Sequence, residues 1–179
     1  MRNNINEEYA LAFSILGIEE NKTQKFYNEL INLKVIFKEN NELMKLLNND
    51  YLDIKEKENI INDIFANDFD LLITNFLKLL VKNKLIREVV SIFELTIKRL
   101  SVTLNILEVI IETPFVLSQE QILNIENKVQ NKTKSKIISK VIINKDLIGG
   151  IKIKFDSFVI DGSIKNKLEN LYNIKKEEN

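Results

Sequence analysis

Residues Ile92 to Pro114 read Ile-Phe-Glu-Leu-Thr-Ile-Lys-Arg-Leu-Ser-Val-Thr-Leu-Asn-Ile-Leu-Glu-Val-Ile-Ile-Glu-Thr-Pro, and one period gives way to another within them. Ile92, Phe93, Thr96, Ile97 and Leu100 recur at the three- and four-residue spacing of a helix face. Leu104 to Ile111 is instead dense in β-branched residues and is closed by Pro114, which predicts a strand. The change divides the chain into residues 1–102, helical throughout, and residues 103–179, mixed. The expected fold class is α+β, mostly α: a six-helix bundle followed by a small α+β domain.

Toward the N-terminus the helical period continues. Tyr9, Ala12, Phe13 and Leu16 share one face, and Gly17 is the expected stop of that first helix. Asn21 and Gln24 have capping-box spacing ahead of Phe26, Leu30, Leu33 and Phe37. Leu43, Met44, Leu46 and Leu47 form a short third helix that ends in the turn Asn48-Asn49-Asp50. Asp53 and Glu56 predict a second capping box before Ile60, Ile61, Ile64 and Phe65. Phe69, Leu72, Ile73, Phe76, Leu77 and Leu80 mark a fifth helix, apolar over so wide a face that it is expected to be the central one. The sixth carries Leu85, Val89 and the residues quoted above.

Toward the C-terminus Ser118 and Gln121 predict a capped helix through Ile122, Ile125 and Val129, followed by the Ile- and Val-rich segment Lys136 to Asn144. Ile151, Ile153 and Phe155 alternate with Lys152 and Lys154, a half-buried strand with a lysine face. Asp156-Ser157 is the expected hairpin turn, Phe158 to Ile160 the return strand, and Asp161-Gly162-Ser163 the break before a last helix with Ile164, Leu168 and Leu171. The terminal Lys-Lys-Glu-Glu-Asn is expected to fray.

Composition excludes whole classes of chemistry. The 179 residues include no His and no Cys, which removes His-based acid–base catalysis, thiolate nucleophiles, disulfides and Cys or His metal sites. Twenty-six basic residues balance twenty-six acidic ones, which disfavours a nucleic-acid binder. The balance is uneven along the chain: from Lys128 onward there are twelve lysines against six carboxylates. That asymmetry is either an ordinary solvated surface or a sign of partners of opposite charge. The first eight residues lack the apolar core of a signal peptide, and no apolar run reaches the roughly 18 residues of a membrane span.

The candidate sites are few. Gly149-Gly150 lies before a strand rather than between a strand and a helix, so a phosphate cradle is a poor reading and a turn with positive φ a better one. Asp146 and Asp161, the acids nearest the glycines, fit turn-forming roles better than a catalytic pair. Ser163 suits a helix cap, and no base is present to activate it. No cofactor is implied. Tyr9, Phe13 and Phe76 can serve either as core or as the floor of a groove for a partner helix, and the pattern leaves both open.

Several motifs, in order, resemble one family. Tyr9-Ala10-Leu11-Ala12-Phe13 is similar to an N-terminal Tyr-Ala-x-Ala-Leu signature, and Asn75-Phe76-Leu77-Lys78-Leu79-Leu80 with Asn83 to an Asn-Phe-Leu-x-Leu-Leu segment. Leu117-Ser118 with Glu120-Gln121 resembles its Leu-Ser-x-x-Gln helix start. Asp146-Leu147-Ile148-Gly149-Gly150, followed by Ile160-Asp161-Gly162-Ser163 and Leu168, is the most specific part. The family is that of the delta subunits of bacterial F-type ATP synthases and the mitochondrial oligomycin-sensitivity-conferring protein, and the resemblance spans nearly the whole chain. Where the family has Arg after the fifth-helix Asn, this chain has Lys84.

The resemblance implies a non-catalytic stator subunit without a cofactor, one copy per complex, on the cytoplasmic face of the bacterial membrane and touching the membrane only through the complex. Residues 1–102 would bind the N-terminal helices of the alpha subunits, with Tyr9, Phe13, Asn75, Phe76 and Leu79 near the groove. Residues 103–179 would bind the C-terminal end of the b subunit. A general helical adaptor unrelated to the synthase, and an enzyme using Asp146 and Asp161, are the competing expectations.

Overall fold

The capping boxes read from the sequence set two of the helices. Asp53 accepts from the Glu56 N–H while the Glu56 side chain accepts from the Asp53 N–H, and Ser118 and Gln121 make the same exchange. The computed structural model describes residues 2–155 and 158–168. Its helices are α1 (Arg2–Glu19), α2 (Thr23–Glu39), α3 (Asn41–Leu47), α4 (Ile54–Phe65), α5 (Leu71–Lys82), α6 (Val89–Thr103) and α7 (Gln119–Thr133). A 3-10 turn, Ile86–Glu88, leads into α6. The chain divides into two units, Met1–Leu104 and Asn105–Asn179, with the boundary just past the end of α6.

In the first unit α6 packs along both α1 and α2, while α5 packs mainly along α4. The central helix is therefore α6 and not α5. The wide apolar stripe of α5 is part surface, since Leu71 and Leu79 stay exposed. Two aromatic clusters fill the interior. Phe13 lies against Phe26 and Phe76 (centroids 5.1 and 3.8 Å), and Phe37 against Phe65 and Phe93 (5.7 and 6.0 Å).

Two N-terminal expectations are corrected. Gly17 does not end α1, which runs two residues further; it lies against α2, where a Cβ would meet the Phe26 ring at 2.8 Å. Asn21 does not cap α2. It sits at φ 56° and turns the chain out of α1, with Asn21 N–H bonded to Ile18 O and Lys22 N–H to Gly17 O.

The same left-handed stop recurs at Lys84, Asn105 and Lys134, so Asn and Lys hold positions that usually favour glycine. Lys134, at φ 58°, carries the conformational cost of a Cβ there. Lys134→Gly is expected to stabilise the second unit by about 0.5–1 kcal/mol, read as a rise of a few degrees in its thermal midpoint.

Asp70 ties α2 to the start of α5. Its carboxylate, nearly buried, accepts from the Leu72 N–H (3.0 Å) and pairs with Lys22 (3.0 Å) and Lys25 (2.9 Å), while its own N–H donates to Glu29 (2.7 Å). Burial works against the charged form, but the hydrogen bonds from Lys25, Leu72 and Lys22 outweigh it and lower the pKa to about 2 from 3.8. A depressed carboxylate stabilises the fold above its unfolded pKa and ceases to do so as pH falls through the folded one. Asp70→Asn is therefore expected to cost about 1–2 kcal/mol at pH 7, allowing for solvent screening at the half-exposed lysines. In urea titrations, that deficit relative to the parent protein should shrink steadily between pH 4 and about pH 2.

The second unit is a four-stranded sheet in the order β2-β1-β3-β4, from β1 (Ile106–Thr113), β2 (Lys136–Ile143), β3 (Lys152–Phe155) and β4 (Phe158–Asp161). β1 and β2 are parallel and joined through α7, in register from Ile106 opposite Lys136 to Thr113 opposite Ile143. β3 runs antiparallel to both β1 and β4. Val109, Ile111, Val129 and Ile153 form the core, with Ile137, Val141 and Phe155 packed on it. Glu112 pairs with Lys154, and Asp161 with Lys152 (3.2 Å), on lysines that alternate with the buried Ile153 and partly buried Phe155 of β3. Residues 164–168 are helical. The expected turn Asp156-Ser157, Leu171 and the terminal tail lie outside the described residues.

Candidate functional site

Of the five residues singled out for a partner groove, Tyr9, Phe13 and Phe76 meet where α1 and α5 touch, while Asn75 and Leu79 are exposed positions of α5 flanking Phe76 in sequence. α1 and α5 meet through the nearly parallel rings of Phe13 and Phe76, 3.8 Å apart at 3°, and through Tyr9 against Phe76 at 6.4 Å. The Asn83 side chain closes one end by donating to the Tyr9 hydroxyl at 2.8 Å. Phe13 and Phe76 are buried, so they act as floor. Asn75 is exposed, Leu79 is 44% exposed and Tyr9 is half-buried. Leu72 and Leu16 belong to the same surface, one helical turn from Phe76 and Phe13, and both are half-buried. They carry no chemical signature, and only their spacing from the aromatic residues marks them.

The two short motifs of the C-terminal unit, more than ten residues apart in sequence, touch. Gly150 has φ 83° and sits against the backbone of Gly162 and Ser163. Gly162 N–H donates to Ile151 O at 2.9 Å, and Ile164 N–H to Gly149 O at 3.0 Å. Asp161 accepts from the Ser163 N–H at 3.0 Å, while Ser163 Oγ accepts from Asn166 N–H at 3.2 Å and so caps the last helix. Hydrogen bonds from Ser163, then the Lys152 ammonium, hold the Asp161 carboxyl below its ordinary value. That is the reverse of the raised pKa a general acid requires, and it marks Asp161 as a charged turn-former.

Asp146 differs from the turn-forming expectation. The side chain that closes its turn belongs to Asn144, which accepts from the Asp146 N–H at 3.1 Å. Asn suits that position because its short amide mimics a backbone carbonyl as well as Asp does. Leu147, by contrast, is buried, and Ile148 at φ 60° holds its side chain in solvent through a γ-turn closed by Gly149 N–H to Leu147 O. Among the described residues no group of three or more acidic side chains is placed to hold a metal ion, and no helix is long and apolar enough to cross a membrane.

A helical unit with an aromatic seam, followed by a small βαβ-containing sheet unit whose charged residues make turns and ion pairs, has the makings of a docking scaffold. The sequence profile of the ATP synthase delta (OSCP) subunit family matches residues 5–174, and the chain belongs to that family. It is 33% identical over 166 residues to the ATP synthase subunit delta of Mycoplasma mobile, covering 93% of this chain and 92% of that one. The subunit delta of Acetivibrio thermocellus is also 33% identical, over 167 residues, 92% of this chain and 93% of the other. A chain in the cryo-EM structure of the Toxoplasma gondii mitochondrial ATP synthase hexamer shares the fold, with a TM-score of 0.71 at 15% identity over 94% of this chain and 95% of that chain. The protein is thus a peripheral-stalk subunit of an ATP synthase, a structural subunit by family.

Proposed function

We propose that the chain is the stator link of a bacterial F-type ATP synthase. The helical unit holds amphipathic N-terminal helices of the alpha subunits in the α1/α5 seam, and the sheet unit holds the C-terminal end of the b subunit. One copy per complex, on the cytoplasmic face of the membrane, resists rotor torque so that ion flow is coupled to ATP synthesis. The observation that carries the reading is the seam itself. Phe13 and Phe76 give it a buried aromatic floor, and α5 also carries the exposed Leu79, one helical turn from Phe76, and the exposed Asn75, an apolar and a polar group open to a partner helix.

The test uses the full-length chain and a synthetic peptide of the alpha-subunit N-terminal segment, titrated by calorimetry. Leu79→Asp should weaken binding at least tenfold, roughly the loss of one buried anchor. Its thermal midpoint should stay near that of the parent, because Leu79 is already 44% exposed. Unchanged affinity in Leu79→Asp would remove the seam from the interface. The lysine excess from Lys128 onward supports a partly electrostatic contact with b. Its affinity should fall as salt is raised, and a salt-independent affinity would refute that part.

A further inference from the structure

A second concave site lies on the helical unit, and none of Tyr9, Phe13, Asn75, Phe76 and Leu79 lines it. It is a cavity of about 910 Å³ between the start of α1, the α3–α4 loop and the segment from the end of α5 through the 3-10 turn. Leu47, Val81 and Ile86, all buried, give it an apolar floor. Lys55, Lys57, Lys82 and Lys84 stand around it, and none of the four forms an ion pair with a described residue. Of the three acids that line it, Asp53 is engaged as the cap of α4, Glu88 accepts from the Asn6 side-chain amide at 3.4 Å, and Asp50 is exposed, so the four lysines outnumber the carboxylates.

Asn6 is the residue without an explanation in the fold. It is 4% exposed, it lines the cavity, and its Oδ1 has no hydrogen-bond partner. A buried acceptor left unsatisfied is costly; the atom is closed even to water as placed, and a turn of the Asn6 side chain onto a ligand N–H donor would remove that cost. The site therefore asks for three things at once: apolar groups, negative charge and a hydrogen-bond donor.

We propose that this cavity receives an acidic peptide segment of a partner chain. Its apolar side chains rest on Leu47, Val81 and Ile86, its carboxylates meet the four lysines, and a main-chain N–H is given to Asn6 Oδ1. A nucleotide fits the site less well. No aromatic side chain lines the cavity for a base to stack on. The N–H groups of Asp53 and Glu56 at the start of α4 are already bonded within its capping box and cannot cradle a phosphate.

The experiment measures fluorescence polarisation of the full-length protein with a labelled, end-blocked peptide of leucines and glutamates at helical spacing. A second peptide has glutamine in place of every glutamate. Saturable binding of the acidic peptide is expected, weakened about tenfold or more by Lys55→Glu with Lys82→Glu, and several-fold by Asn6→Leu. Lys55 and Lys82 are exposed, so a thermal melt of their double variant should match the parent. Leu79→Asp should leave this binding unchanged, which separates it from the α1/α5 seam. Equal binding of the glutamine peptide, indifference to the lysine double variant, or loss on Leu79→Asp alone would overturn the proposal. Saturable binding of ATP, lost in the lysine double variant, with none of the acidic peptide would overturn it too.

Discussion

Gly150→Val is expected to destabilise the sheet unit by about 3 kcal/mol or more, enough to leave it largely unfolded if its margin is ordinary. Two costs combine. Gly150 has φ 83°, a conformation that a β-branched residue avoids. A Cβ there would also collide with the carbonyl oxygen of Gly162 and lie 2.9 Å from Ser163 Cα, both backbone atoms that cannot rotate away. Relief would require parting the two motifs that join the start of β3 to the end of β4. Gly149→Ala makes the contrast, because its Cβ meets only the end of the Ile164 side chain, at 2.5 Å, and φ is not positive. A rotamer change at Ile164 should hold that cost to about 1 kcal/mol. Far-UV circular dichroism against urea measures both. Equal midpoints for the two variants would show that the backbone approach at Gly150 does not govern the turn.

Phe76→Ala is expected to cost the helical unit about 3–4 kcal/mol, the usual range for a buried phenylalanine. Phe76 is 7% exposed and packs against both Phe13 and Tyr9, so truncation leaves a cavity bounded by rings that cannot collapse into it. Phe76→Leu keeps most of the volume and should cost about 1–1.5 kcal/mol. The loss should appear in the unfolding transition of the helical unit. A loss below about 1 kcal/mol for Phe76→Ala would mean the ring is not a structural floor, and the division between floor and docking surface would need redrawing. Read beside Leu79→Asp, the pair separates stability from the proposed binding: one side chain holds α1 against α5, and the other is the contact we propose for a partner.

Much of this architecture is legible in the residues, for local reasons. The Asp53–Glu56 and Ser118–Gln121 boxes are decided within four positions, and both form. The change of period after Leu100 depends on side-chain type alone, and β1 begins at Ile106. The errors lie where a neighbour decides. Gly17 reads as a helix stop, yet what it serves is the approach of Phe26 from another helix. Asn21 reads as a cap, yet it takes a left-handed turn that only the path into α2 requires. α5 reads as central because apolar periodicity cannot tell a buried leucine from Leu71 or Leu79 on the surface.

The candidate site follows the same rule. Tyr9, Phe13 and Phe76 stand out by size and spacing, but their contact across two helices distant in sequence is a tertiary fact. The meeting of Gly150 with Gly162, and the parallel pairing of β1 with β2 through α7, are likewise settled by backbone contacts that no short window contains. The cavity beside Asn6 has no sequence signal at all, because its lining is drawn from three separate segments.

The most direct test of the stator assignment is a tagged copy of this protein recovered from the solubilised membranes of its own cells, with its partners identified by mass spectrometry. The expected result is joint recovery of the alpha, beta and b subunits, with alpha lost in Leu79→Asp while b is retained. Clean recovery of the protein with none of them would contradict the stator role and leave a helical adaptor that shares the family's fold without its place in the synthase.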